Sequence, residues 1–178
     1  MKEDDYMITI PHTFLQIVLI GIGATLTFDL WGVVLKHAFR IPPSNICLVG
    51  RWLLYMPGGV FTHASITAAP RKRFECPVGW IAHYLIGVTF AAMFIIILGP
   101  GWLVLPTPLP AVAFGVVTVL APFLILQPSL GFGIAGSKTA NPAQARVRTL
   151  MNHLAFGVGL YASALFISRL AQQSLFIF

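Results

Sequence analysis

The sequence predicts an all-α, polytopic membrane protein: a bundle of four transmembrane helices, with an interfacial or re-entrant cytoplasmic segment between helices 1 and 2. Three observations carry this reading. Hydrophobic residues fill 57% of the 178 positions and charged ones only 9%, against roughly 25% charged in a soluble domain. Four stretches approach the roughly 20 apolar residues needed to cross about 30 Å of hydrocarbon. The basic residues sort to one side of those stretches. The whole chain, 1–178, reads as a single integral membrane domain.

The first span, FLQIVLIGIGATLTFDLWGVVL, runs from Phe14 to Leu35. The residues before it begin with Glu3, Asp4 and Asp5. A secretory signal needs a positive start, so this span is expected to remain as an anchor. Next comes NICLVGRWLLYMPGGVF (45–61), about a dozen helix-forming residues before Pro57-Gly58-Gly59, with Arg51 in the middle. Runs this short lie on or dip into the membrane. The second span is 78–98, closed by Gly99-Pro100-Gly101. The third is 110–136 and contains Pro122 and Pro128. The fourth, TLMNHLAFGVGLYASALFIS, is 149–168.

Charge supports four spans rather than five. Lys36, Arg40, Arg51, Arg71, Lys72, Arg73, Lys138, Arg146 and Arg148 then share one side, leaving Lys2 and Arg169 on the other. The positive-inside rule puts the basic loops in the cytoplasm and both termini in the periplasm. A fifth span would split Arg40 from the Arg71–Arg73 run. The net charge of +6 thus has a membrane explanation, and no nucleic-acid partner is needed. Cys47 and Cys76 suggest neither a disulfide framework nor a zinc site. Both fall in the cytoplasmic loop and are expected to stay reduced.

GFGIAGSKTANP (131–142) contains G-x-G-x-x-G and nearly a P-loop. The motif needs a preceding strand and a βαβ unit to mean a nucleotide site. Here it follows a membrane helix, and Ser137 intervenes before Lys138. Close helix packing and termination at Asn141-Pro142 is the plainer reading, so no nucleotide is expected.

Ionisable groups inside a span are costly, about 2.5–3.5 kcal/mol for an aspartate near the centre. Asp29, His83, Gln127 and His153 fall at similar depth in the cytoplasmic half, with Asn152 beside His153. Small residues share their helical faces: Gly21, Thr25 and Gly32 with Asp29; Gly79, Gly87 and Ala91 with His83; Thr149, Gly157, Ala164 and Ser168 with His153. Such stripes turn the polar residues towards neighbouring helices. HYLIGV at His83 and HLAFGV at His153 share H-x-x-x-G-V, a hint of two parallel hairpin repeats.

The candidate substrate- or proton-binding residues are Asp29, His83 and His153, with Gln127, Asn152 and Arg51 as helpers. A carboxylate and two imidazoles can shuttle protons, since histidine ordinarily titrates near neutral pH. His83, His153 and Asp29 can also hold a divalent metal, and the two histidines can clamp haem iron. The plain alternative is interhelical hydrogen bonding. No cofactor follows from the sequence. Arg51 can hold a lipid phosphate or merely snorkel from an interfacial helix. Arg71-Lys72-Arg73 can attract anionic lipid heads or simply set topology. Trp31, Trp52, Trp80 and Trp102 sit near span boundaries, as an aromatic belt would. Pro122 and Gln127-Pro128 break span three, which suits either a cavity or a plain kink.

GATLTFDLW (23–31), GRW (50–52), GWIAHYLIG (79–87), VLAPFLILQPSLGFGIAGSKTANP (119–142) and HLAFGVGLY (153–161) together resemble a domain-of-unknown-function family of small bacterial inner-membrane proteins. The family pattern favours Thr-Pro-x-Pro after span three; Thr139-Ala140-Asn141-Pro142 departs from it within the loop. The resemblance implies a bacterial inner-membrane location and supplies no activity.

The reading with most support is a protein that binds or moves a small polar or lipid-linked substrate through a cytoplasm-facing polar site, as an oligomer if it transports. A lipid-modifying enzyme would use His83 or His153 as base, oriented by Asp29, but the chain offers no convincing nucleophile. A haem or metal redox protein and a non-catalytic assembly protein complete the alternatives.

Overall fold

A computed structural model describes residues 3–175, with side chains described from His12 to Gln173. The protein is all-α, and four helices are long and apolar enough to cross a membrane. Helix α1 is Glu3–Phe39. Its last turn carries Lys36 and His37, whose basic character suits the negative end of a helix dipole, so it outruns the expected limit at Leu35. Arg40 at φ 55° stops it. The short helix α2, Cys47–Tyr55, follows. Helix α3, Glu75–Leu98, ends at Gly99, φ 81°, beside a proline that cannot continue it.

Helix α4, Pro108–Ser129, is a broken span: regular from Pro108 to Val117, a π-helical turn over Pro122–Leu126, then a last turn Gln127–Ser129. Proline has no N–H to give to the preceding turn. The ladder widens there, with Gln127 N–H donating to Pro122 O, five residues back rather than four. The span stops at Ser129, not at Gly136. Gly131, Gly133, Ala135 and Gly136 all take positive φ, which no helix tolerates. Helix α5, Pro142–Leu175, is longer than the expected 149–168.

Glycines set the helix contacts. A Cβ at Gly87 would overlap Thr25 Oγ1, and one at Gly115 would lie 2.6 Å from Gly157 Cα. Ala24, Ala91, Ala111 and Leu160 are fully buried at these crossings, around Phe94 and Phe156. Ile96 is 80% exposed and Leu109 78%; an apolar surface of this kind suits lipid rather than water. Trp102 departs from the expected belt: it is buried, packs on Phe94 at 4.7 Å and donates Nε1–H to Thr107 Oγ1.

The basic end carries an ordered cap. His63 N–H donates to Ser129 O at 2.9 Å and Ile66 N–H to Leu130 O at 3.0 Å. Leu48, Ile66 and Leu130 form a second small core with Trp52, Leu126 and Phe132. The cysteines correct an expectation: Cys47 and Cys76 form a disulfide, with Cα atoms 4.0 Å apart. The reason is local. A Cβ at Gly50 would overlap the Glu75 carbonyl, and one at Gly79 the Ile46 carbonyl, so α2 meets α3 backbone to backbone.

Candidate polar site within the bundle

The α1 stripe places Asp29 against α3. His83 Nε2–H donates to Asp29 Oδ1 at 2.9 Å, and Tyr84 O–H donates to Oδ2 at 3.1 Å. Both carboxylate oxygens are therefore occupied. The pair is largely buried, His83 15% and Asp29 20% exposed at the side chain.

The α5 stripe places His153 against α4. Thr118 donates its single hydroxyl proton to Gly115 O at 2.6 Å, and its oxygen lies 2.8 Å from His153 Nδ1. His153 must then donate through Nδ1–H, which leaves its Nε2 as the acceptor. Phe28 touches both imidazoles, 5.3 Å from His83 and 5.6 Å from His153 between ring centroids. Asp29, His83 and His153 thus belong to one cluster. Tyr84, Thr118 and Phe28 complete it and escaped the sequence reading. Tyr84 follows His83 directly, so its neighbourhood was visible; nothing in the pattern pairs Thr118 with His153.

The helpers separate. Gln127 Nε2–H donates to Thr149 Oγ1 at 3.3 Å, towards the basic end from His153. Asn152 is 2% exposed. Asn152 Oδ1, Gln127 Oε1 and Trp31 Nε1 are buried without a hydrogen-bond partner. Arg51 does not snorkel. It is 5% exposed, donates Nε–H and Nη2–H to the two oxygens of Glu75 at 2.7 and 2.8 Å, and gives Nη1–H to Ile66 O and Ala69 O. The Glu75 hydrogen bond raises the guanidinium pKa above its ordinary value, against the opposing effect of burial. Among the described residues no group of three His, Cys, Asp or Glu side chains is arranged to hold a metal ion. Asp29 and His83 are bonded to each other, and Phe28 lies against both histidine rings.

Chemically, the cluster holds one carboxylate–imidazole couple able to keep a proton or cation. Polar groups lead towards it along α5, from Thr149 through Asn152 to His153. A family model described as "Protein of unknown function (DUF2938)" matches residues 18–167. No curated protein and no solved structure matches the chain.

Proposed function

The chain belongs to the DUF2938 family, and we propose that it binds or moves a small polar or lipid-linked solute, with the Asp29–His83 couple taking and releasing a proton as it does so. The basic end faces the cytoplasm of a bacterial inner membrane, and the solute enters from that side. One observation carries the reading: a carboxylate bonded to an imidazole at 2.9 Å within helices long and apolar enough to span a bilayer. An ionisable pair at that depth is costly to keep for packing alone. The unpartnered Asn152 Oδ1 and Gln127 Oε1 offer acceptors along the way in.

Both Asp29 oxygens being filled also favours a second reading, a polar staple that holds α1 to α3. A thermal-shift screen of detergent-purified protein against sugars, amines, amino acids, organic acids and lipid phosphates, at two pH values, separates the two. Saturating ligand raises stability by about 2.7 kcal/mol at a hundredfold excess over Kd. The expected outcome is a pH-dependent shift for one class that Asp29→Asn abolishes. No responding class leaves only the staple, and a shift that persists in Asp29→Asn places the binding elsewhere and leaves Asp29 as the staple.

A further inference from the structure

We propose that the cleft at the basic end is a binding site for a phosphate group, separate from the Asp29–His83 cluster and independent of the reading above. The cleft measures about 380 Å³ and lies between the cap and the Gly131–Lys138 loop, lined by His63, Ala64, Pro128, Ser137 and Lys138 among others. Clefts of this size accept small ligands.

Four observations point to an oxyanion. His63 Nε2 is buried with no hydrogen-bond partner, although buried polar atoms ordinarily have one. The residue itself is fixed: its backbone N–H is bonded to Ser129 O, and its ring meets Tyr55 edge-on at 4.9 Å. Ser137 and Lys138 line the same cleft and bring a hydroxyl donor and an ammonium with three donors. No lining residue is acidic.

The loop is shaped for this. Gly133, φ 73°, has Ser137 Oγ and the Lys138 stem where its Cβ would be, so those two side chains fold back over position 133 only because it lacks one. Gly131, φ 87°, has the carbonyls of Ala64 and His63 in that place, which locks the loop to the cap. This is not the phosphate cradle of a P-loop. No strand precedes it, and helix α5 begins only at Pro142. The ligand is therefore a single phosphate gripped by side chains, either free or on a lipid headgroup.

The test uses the full chain in nanodiscs of phosphatidylcholine. Inorganic phosphate is titrated by calorimetry, and phosphatidylglycerol is added in a second series read by native mass spectrometry. Saturable binding is expected, weakened roughly ten- to a hundredfold by Lys138→Ala, as for loss of a hydrogen bond to a charged group. Lys138→Arg should stay within a few-fold. Lys36→Ala, at the same end but outside the cleft, should change nothing. Lys138 is exposed, so its replacement leaves the fold intact, and His63→Ala serves as a second variant checked for folding by circular dichroism. Phosphate binding lost in Lys138→Ala supports a free-phosphate site. Phosphatidylglycerol binding alone, lost in the same variant, supports a headgroup site. No saturable binding of either probe, or equal losses in Lys138→Ala and Lys36→Ala, overturns the proposal.

Discussion

Arg51 shows how one side chain can organise a region that looks like solvent-exposed loop. Its guanidinium joins α2 to the first residue of α3 and to two carbonyls of the cap. Removing one partner of a buried pair leaves an uncompensated charge and costs about 3–5 kcal/mol, whereas replacing both by apolar groups is often neutral or stabilising. Glu75→Gln should therefore lower stability by several kcal/mol, and the double variant Arg51→Met/Glu75→Leu should recover most of it, measured by denaturant titration in micelles. Equal losses in both would show that the pair is not the origin. Asp29 was legible in the sequence because a carboxylate within an apolar run has no solvent to excuse it. Glu75 was not. It follows Arg71-Lys72-Arg73, where a charge looks solvated, and its partner lies 24 residues away with no period linking them.

At the scale of helices, the two hairpins repeat one arrangement. In the first, Gly87 of α3 meets Thr25 of α1, and His83 reaches Asp29. In the second, Gly157 of α5 meets Ala111 and Gly115 of α4, and His153 reaches Thr118. The shared H-x-x-x-G-V phrase was the sequence trace of this. The 3.6-residue period made the small-residue stripes readable, because side-chain size alone decides how closely helices approach. The end of α4 was not readable. Hydropathy reports burial, and Gly131–Gly136 is apolar, but left-handed backbone ends the helix regardless. Overpacking costs typically 1–3 kcal/mol. Gly157→Leu, facing Ala111 O and Val112 Cα, should exceed that range and separate α4 from α5. Gly32→Ala meets nothing within 4 Å and should be neutral or stabilising by up to about 1 kcal/mol. Thermal unfolding of both variants checks the contrast, and comparable losses would deny the backbone contact its importance.

For the whole molecule, charge and cysteine chemistry pull in different directions. The basic residues argue for a cytoplasmic cap, and disulfides persist in oxidising compartments. The contact of α2 with α3 is compatible with a reversible bond: backbone packing holds the sulfurs together whatever the redox state. In growing cells quenched with acid, Cys47 and Cys76 should both take a maleimide mass tag, and after a thiol oxidant neither should. A pair already bonded before oxidant would put the basic end outside and reverse the proposed orientation.

The hydrogen bonds from His63 and Ile66 to Ser129 and Leu130 also impose an order on synthesis. About 64 residues separate Ile66 from Leu130, and a ribosome adds roughly 5–20 residues per second. The cap segment therefore waits some 3–13 seconds for its acceptors, while α3 and α4 are made and threaded. Closure of the cap becomes a late event that only a correctly inserted hairpin permits. A chain that stalls or misinserts before Ser129 would keep Ile66 and Leu48 without the Leu130 side chain that completes their small core, a mark by which quality control can tell an unfinished molecule from a finished one.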